Sequence, residues 1–305
     1  MTTTELPIPK KFGNRINWLK ARQERIQASD SAALFGVGHN DQSIVALYES
    51  KVMPLTEDDV SEDRFIVGQM IEPTLRKLFT HYNDLACHEP IPYSLYQHPT
   101  KDHIGATLDG LTQHDEYGTI PVELKNVGVQ NRVDWSEGNC PLKYQIQCQH
   151  QMLVTGAPAA YLFALIGGNE PVTRLILRNP RFLAALETEI DKFWGYVQRR
   201  ELPPVDGSEA TSKALARLYA DAYDAEVLLP PEAEEWDSKL AIAKEAIKTA
   251  EATKTEIENK IKAAMGNHTI GQIPGGGRFT WKEQTNQYPA REAYQSTFRV
   301  LRRVK

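Results

Sequence analysis

Cysteine is scarce in this chain. There are three in 305 residues, Cys87, Cys140 and Cys148. An odd count without CxxC spacing speaks against a disulfide framework and fits a reducing compartment. A four-cysteine iron–sulfur cluster is not expected, and a zinc site on Cys140, Cys148 and His150 would lack its fourth ligand. Long apolar runs are missing as well. The longest, from Ala157 to Gly168, contains Pro158 and ends in two glycines. It falls well short of the ~20 apolar residues that span a bilayer. The start of the chain shows no basic segment leading into an apolar run, so no signal peptide is expected. An excess of positive charge is also absent, since the formal net charge is -5. That total does not exclude a nucleic acid, because distribution matters more than sum. In the first 25 residues Lys10, Lys11, Arg15, Lys20, Arg22 and Arg25 face only Glu5 and Glu24. The last eight residues carry Arg299, Arg302, Arg303 and Lys305 and no acid. Taken alone, both basic ends read as solvated termini.

What is present is an ordinary globular balance, 41% hydrophobic and 25% charged residues, in a length that suits one large domain or two smaller ones. The cluster Leu202-Pro203-Pro204-Val205-Asp206-Gly207-Ser208 follows a helical run and sets an expected boundary. This divides the chain into 1–205 and 206–305. The first part mixes helices and strands. Helices are predicted over Arg15–Ile26, from a cap at Ser29-Asp30 through Leu34, over Ser43–Lys51, Glu62–Tyr82, Leu142–Thr155 and Pro180–Arg200. Pro73 is expected to kink the fourth or start a new segment. His103–Thr112 and Thr119–Val127 read as a hairpin around Glu116-Tyr117-Gly118, with further strands at Ala159–Ile166 and Val172–Leu177. The second part differs. Trp236, Leu240, Ala243, Ile247, Ala250, Ile257, Ile261 and Ala264 alternate spacings of four and three, with Lys254 taking one place in the series. That is a heptad seam, whose partner in a helical hairpin would be Lys213–Ala225. Two short strands follow around a glycine-rich turn.

Three short stretches carry the chemistry. They are Gly68-Gln69-Met70-Ile71-Glu72-Pro73, Thr107-Leu108-Asp109-Gly110 and Pro121-Val122-Glu123-Leu124-Lys125. Together they supply three carboxylates and one lysine. Hard oxygen ligands suit Mg²⁺, which takes one or two protein carboxylates and fills its octahedron with water and phosphate oxygens. A lysine beside the metal orients the attacking water or offsets charge building on a phosphate. Glu123 and Lys125 are two apart on a strand and so share a face, while Leu124 points into the core and offers its carbonyl as a further ligand. Glu-Leu-Lys and Asp-Gly are each common by chance. The stretch Tyr144-Gln145-Ile146-Gln147-Cys148-Gln149-His150-Gln151 adds an unusual amide-rich helix, with Tyr144, Gln147 and Gln151 along one face.

The order GxxxEP, LDG, ELK, YxxQxQ resembles the YqaJ-type viral recombinases, the lambda-exonuclease-like branch of the PD-(D/E)XK nucleases. Trp18-Leu19-x-x-Arg22 followed by Ile26-x-Ala28-Ser29 resembles that family's 5′-phosphate-binding segment. The resemblance covers roughly Trp18 to Trp194. It implies an α+β fold with an α/β/α core, a mixed central sheet flanked by helices, to which a helical, coiled-coil and small β extension is added. It further implies a Mg²⁺-dependent 5′→3′ exonuclease on linear duplex DNA, with Mn²⁺ as the alternative ion. The product would be a 3′ single-stranded tail for a single-strand annealing recombinase. By this resemblance Glu72, Asp109 and Glu123, with the carbonyl of Leu124, hold metal. Lys125 assists the water, and Gln147 joins the catalytic set. Tyr144 and Gln149 support the site, and Arg22 and Ser29 hold the 5′-phosphate. Ser29 as a helix cap would place amides toward the anion, and Arg22 offers a bidentate fork. A homo-oligomer is implied, a ring trimer being one form the family takes, in the cytoplasm of a bacterial or phage-infected cell and with no membrane partner. Two readings stand beside this one, an endonuclease of the same fold and a non-catalytic DNA-end binding protein.

Overall fold

Residues 6–39, 42–55 and 66–285 are described by the computed structural model of the chain. The terminal basic residues after 285 and the first four positions of the helix expected from Glu62 lie outside them. Two compact units divide the chain, Met1–Ala220 and Asp221–Lys305.

The first unit begins with strand β1 (Lys10–Lys11) and helix α1 (Arg15–Gln23). The Asn14 side chain starts α1 by accepting the Asn17 N–H at 2.9 Å. A 3₁₀ turn, Ala28–Asp30, runs into the short α2 (Ser31–Leu34). The expected cap at Ser29 is therefore corrected. Gln27 holds the cap position, its N–H bonded to the Asp30 carboxylate at 2.9 Å, and Ser29 lies inside the turn. Ser43 caps α3 (Ile44–Val52). Helix α4 (Ile66–Asn83) continues through Pro73 without ending there. Pro73 removes one donor, but Leu75 and Phe79 beyond it are buried against Val122, Leu124, Phe163 and Leu165, which holds the downstream turns in place.

Strands β2 (Ser94–Gln97) and β3 (Gly105–Ala106) join β1 in a three-stranded antiparallel sheet. The first arm of the expected hairpin is split, because β3 belongs to this sheet and β4 (Gly110–His114) to the next. The gap between them contains Asp109. The central sheet runs β4, β5 (Gly118–Val127), β6 (Ala159–Ile166), β7 (Glu170–Leu177). β5 and β6 are parallel and the outer pairs antiparallel. A parallel pair needs a crossover, here a 3₁₀ segment (Val129–Gly138) and helix α5 (Leu142–Thr155). Along β6, Leu162, Ala164 and Ile166 pack with Cys148 and Met152 of α5, while Phe163 and Leu165 pack with α4. Helices thus cover both faces of a mixed sheet, the α+β arrangement expected. Helix α6 (Pro180–Arg199) adds Leu183, Leu186, Ile190 and Phe193 to a second core around Ile26 and Ile104.

Helix α7 (Glu209–Leu218) lies past the Pro203-Pro204 cluster yet belongs to this unit. Its Thr211 hydroxyl donates to Ser43 Oγ at 2.9 Å, and Arg217 pairs with Glu49. The face formed by Ala210, Thr211 and Ala214 is buried. The compact unit therefore extends to Ala220, past the break read at 205, and α7 packs on α3.

In the second unit, α8 (Ala233–Met265) contains the heptad seam. Most of its large apolar members are exposed, Trp236 at 56% and Ile247 at 58% among them. Strands β8 (Ile270–Gln272) and β9 (Arg278–Thr280) form the expected small hairpin. Gly276 and Gly277 make its turn at φ +101° and +89°, a region closed to most side chains.

Candidate active site

Strand β4 begins at Gly110, paired with Val122, so Glu123 to Lys125 run on past its start. Asp109 sits at that opening. Its Oδ2 accepts the Leu124 N–H at 3.0 Å. In a strand the N–H and C=O of one residue share an edge. The Leu124 carbonyl thus lies on the edge that β4 leaves uncovered, the same edge as Asp109. Gly110 lets Cys87 pack against the start of β4, because a Cβ there would lie 2.5 Å from Cys87 Sγ. Leu124 itself is buried among Leu75, Phe79 and Phe163.

Glu123 is only 1% exposed, and its carboxylate is fully engaged. Gln147 Nε2 donates to Oε1 at 2.7 Å, Gln151 Nε2 donates to Oε2 at 2.5 Å, and Lys125 pairs with Oε1. The Tyr144 ring lies 5.2 Å from Lys125 Nζ and 5.7 Å from the Trp135 ring. Tyr144, Gln147 and Gln151 occupy one face of α5, and that face looks onto β5. Gln149 turns away. Its amide donates to the Leu177 carbonyl at 2.7 Å and accepts the Asn179 N–H at 3.0 Å, so it joins β7 to α6 and does not reach the carboxylates.

Glu123 is buried in contact with a second acid, and its protonation responds to that neighbour. Burial, then the Asp109 charge and its hydrogen bond, push Glu123 well above the usual carboxylate range, against the pull of Lys125. Burial and Asp109 likewise raise Glu72. Burial works to lower Lys125, but Glu123 and Asp109 outweigh it and hold the ammonium above its ordinary value. These two acids thus favour the charged form of Lys125.

Arg22 lines the same cleft. Its guanidinium sits 4.6 Å from the Trp18 ring and donates to Thr107 Oγ1 at 2.5 Å. Burial lowers its pKa, opposed by Asp30 and Asp109. Asp30 bonds Lys51 at 2.7 Å. The cleft, of about 360 Å³, is lined by Arg22, Ser29, Glu72, Thr107, Asp109, Glu123, Lys125 and Gln147 among others. Residues from five separate stretches of sequence thus share one depression.

Three residues were less visible in the sequence. Thr107 precedes the LDG stretch without standing out, although it holds Arg22. Arg76 follows Glu72 by one helical turn and bonds it, a spacing that is readable once α4 is drawn. Gln151 shows only as a member of the amide stripe. Ser31, beside the expected Ser29, makes a separate contact. His150 Nε2 lies 2.9 Å from the Gly105 carbonyl, which only accepts, so that nitrogen carries the proton. Nδ1 then accepts the Ser31 hydroxyl at 2.6 Å.

Among the described residues no three His, Cys, Asp or Glu side chains form a ready-made metal cluster. The donors nonetheless fit a hard divalent cation. The Asp109 and Glu123 carboxyl groups are close enough to share a proton, a backbone carbonyl shares their edge, and Glu72 lines the same cleft. Mg²⁺ needs no more than one or two protein carboxylates.

Residues 17–158 match the family model described as the YqaJ-like viral recombinase domain. A curated protein of Bacillus subtilis (strain 168), described as "Uncharacterized protein YqaJ", is 24% identical over 273 residues, covering 88% of this chain and 83% of its own. A share of 88% exceeds the first unit, so that similarity continues into the second. Among solved structures, an alkaline exonuclease (LHK-Exo) from Laribacter hongkongensis is 20% identical with a TM-score of 0.46. The match covers 61% of this chain and 94% of that one. A phage-related exonuclease from Haemophilus somnus 129PT is 10% identical, with a TM-score of 0.37, over 58% of this chain and 94% of that one. The matched residues span Arg22, Glu72, Asp109, Glu123, Lys125 and Gln147, so the part of the chain that builds this carboxylate–lysine cleft is the part similar to the YqaJ-like viral recombinase domain.

Proposed function

We propose that the protein is a Mg²⁺-dependent 5′→3′ exonuclease that acts on the ends of linear double-stranded DNA. The observation that carries this reading is the pairing of two chemistries in one cleft. Arg22, Ser29 and Thr107 offer an anion site, and Asp109, Glu123 and Lys125 a hydrolytic one. A terminal phosphate seated on the first would present a nearby phosphodiester to the second. That is the geometry of end-directed cleavage.

In this reading Asp109, Glu123, the Leu124 carbonyl and Glu72 hold the metal. A bound Mg²⁺ polarises the phosphate and makes its water a stronger nucleophile. Lys125, whose charged form is favoured by Glu123 and Asp109, acts as a cation. It donates hydrogen bonds and offsets negative charge growing on the phosphate oxygens. Gln147 and Gln151 fix Glu123, and Tyr144 covers Lys125. The attacking water's oxygen bonds to phosphorus, the bond from phosphorus to the 3′ oxygen breaks, and the proton lost by water is matched by one gained at that leaving oxygen. Each turn releases a 5′-mononucleotide and lengthens a 3′ single-stranded tail. That tail suits a single-strand annealing recombinase as partner. The protein is proposed to act as a homo-oligomer, with a ring trimer as the form to look for. No helix among the described residues is long and apolar enough to cross a membrane.

The test uses linear and circular duplex DNA, each with Mg²⁺ and with EDTA. Loss of linear DNA only, and only with metal, supports the exonuclease. Cleavage of closed circles points to the endonuclease reading. End binding without cleavage in either ion condition points to the non-catalytic one.

A further inference from the structure

Arg76 is buried just behind the cleft, with its side chain 8% exposed, and does not line it. Its guanidinium meets three acceptors from three segments. Nη1 donates to Glu72 Oε1 and, at 2.9 Å, to the Asp109 carbonyl. Nη2 donates to Glu89 Oε1 at 3.1 Å. Glu72 sits on α4, Asp109 opens β4, and Glu89 lies on the segment between α4 and β2. The side chain of Glu72 is 38% exposed, and no other hydrogen bond of its carboxylate is seen among those described.

We propose that Arg76 is a positioning residue for the metal site, fixing Glu72 against Asp109 with one carboxylate oxygen engaged and the other left for the cation. This rests on the reading of Glu72 as a metal ligand. The physical ground is the guanidinium's planar fork, which spans several acceptors in a set geometry. An ammonium group is a point charge and reaches fewer. Without the fork, an exposed glutamate on a helix samples several rotamers, few of which face Asp109. The backbone bond to Asp109 ties the same guanidinium to the second ligand, so the spacing of the two carboxylates is set by one side chain. The competing role is a plain brace between α4 and β4, which would affect stability without touching metal affinity through Glu72.

A double-mutant cycle separates the two. Mn²⁺ binding to the full chain without DNA is measured by the loss of free Mn²⁺ signal in electron paramagnetic resonance, for wild type, Glu72→Gln, Arg76→Gln and the double variant. Partners behind a metal ligand typically change affinity by about 10–100-fold. Glu72→Gln and Arg76→Gln should each weaken Mn²⁺ by about tenfold, and the double variant should bind no more weakly than Glu72→Gln alone. Wild-type affinity in Arg76→Gln, or losses that multiply to about a hundredfold in the double variant, would overturn the proposal. Wild-type affinity in Glu72→Gln would instead remove Glu72 from the metal site itself. Arg76→Lys is measured beside these, because it keeps the buried charge and so guards against loss of folding. It should lose affinity like Arg76→Gln, and wild-type affinity there would show that charge alone suffices and would also overturn the proposal.

Discussion

Gln151 Nε2 lies 2.5 Å from Oε2 of Glu123, 28 residues away in sequence. One turn earlier on α5, Gln147 Nε2 lies 2.7 Å from the other oxygen of the same carboxylate. A buried acid is thus clamped by two neutral donors on one helix face, and its orientation depends on α5 keeping its register against β5. Gln151→Leu removes one donor with little change of volume and leaves Oε2 buried without its bond. A lost partner of this kind costs about 1–3 kcal/mol. A lower midpoint in urea and a weaker Mn²⁺ titration are expected. An unchanged Mn²⁺ affinity would show that Gln147 and Lys125 alone hold Glu123.

Lys125→Ala should abolish most cleavage while DNA-end binding persists. Lys125 acts on charge that develops at the phosphate, and loss of one such group typically costs about 10²–10³ in rate. Gel-shift assays with 5′-labelled duplex and single-turnover digestion in Mg²⁺ give the two quantities separately. Near wild-type turnover would remove Lys125 from the reaction.

Arg22→Ala should slow digestion of 5′-phosphorylated ends strongly and of 5′-hydroxyl ends little. A terminal phosphate carries more charge than an internal diester, and a charge-assisted hydrogen bond contributes roughly 1.5–3 kcal/mol, about one to two decades in rate. Equal wild-type rates on both ends would take the terminal-phosphate pocket out of this account. Thr107→Val should weaken the same preference in part, since Thr107 Oγ1 holds the guanidinium.

Acid should destabilise the first unit through His150. Burial, opposed by the bond to Gly105, holds its pKa at about 4, below its ordinary value near 6.5. The folded state keeps the ring neutral while the unfolded chain takes up the proton, so the contribution is complete above the unfolded value and is lost as pH falls from about 6.5 toward 4. The full effect is about 3 kcal/mol. The difference in urea midpoint between wild type and His150→Gln, followed from pH 7 to pH 4, isolates it from the carboxylates. A difference that stays flat with pH would contradict it.

Residues 1–220 should melt cooperatively as a separate fragment, and 1–205 should melt lower. Removal of α7 uncovers Ser43 and leaves Glu49 without Arg217. A loss of ~1 kcal/mol lowers the midpoint of a domain this size by roughly 2–4 °C. Equal melting curves for the two fragments would show that α7 adds nothing to the unit.

The chain's local order was readable where one rule acts alone. The alternation through Pro121 to Lys125 put Glu123 and Lys125 on one face because strand side chains alternate. Apolar spacing gave α5 and α6 nearly to the residue, and the heptad spacing gave α8. The boundaries that failed were those with competing rules. Ser29 resembles a cap, but the Asp30 carboxylate closes on Gln27 and moves the cap upstream. Pro203-Pro204 resembles a domain break, but the buried face of α7 returns to α3.

By itself the sequence determined the inventory: three carboxylates, a lysine and an amide-rich helix, each on an element whose period fixes its direction. Side-chain periodicity is a property of the local backbone, so it is written in the order of residues. Only the tertiary structure decided what those groups meet. The parallel pairing of β5 with β6 brings α5 across the sheet so that Gln147 and Gln151 reach Glu123. The run of β5 beyond the start of β4 opens the edge where Asp109 meets Leu124. Arg76 joins Asp109 and Glu89 through contacts across 33 and 13 residues of chain. Contacts of that range depend on how the sheet and its two helix layers pack, and no local pattern in the sequence encodes them.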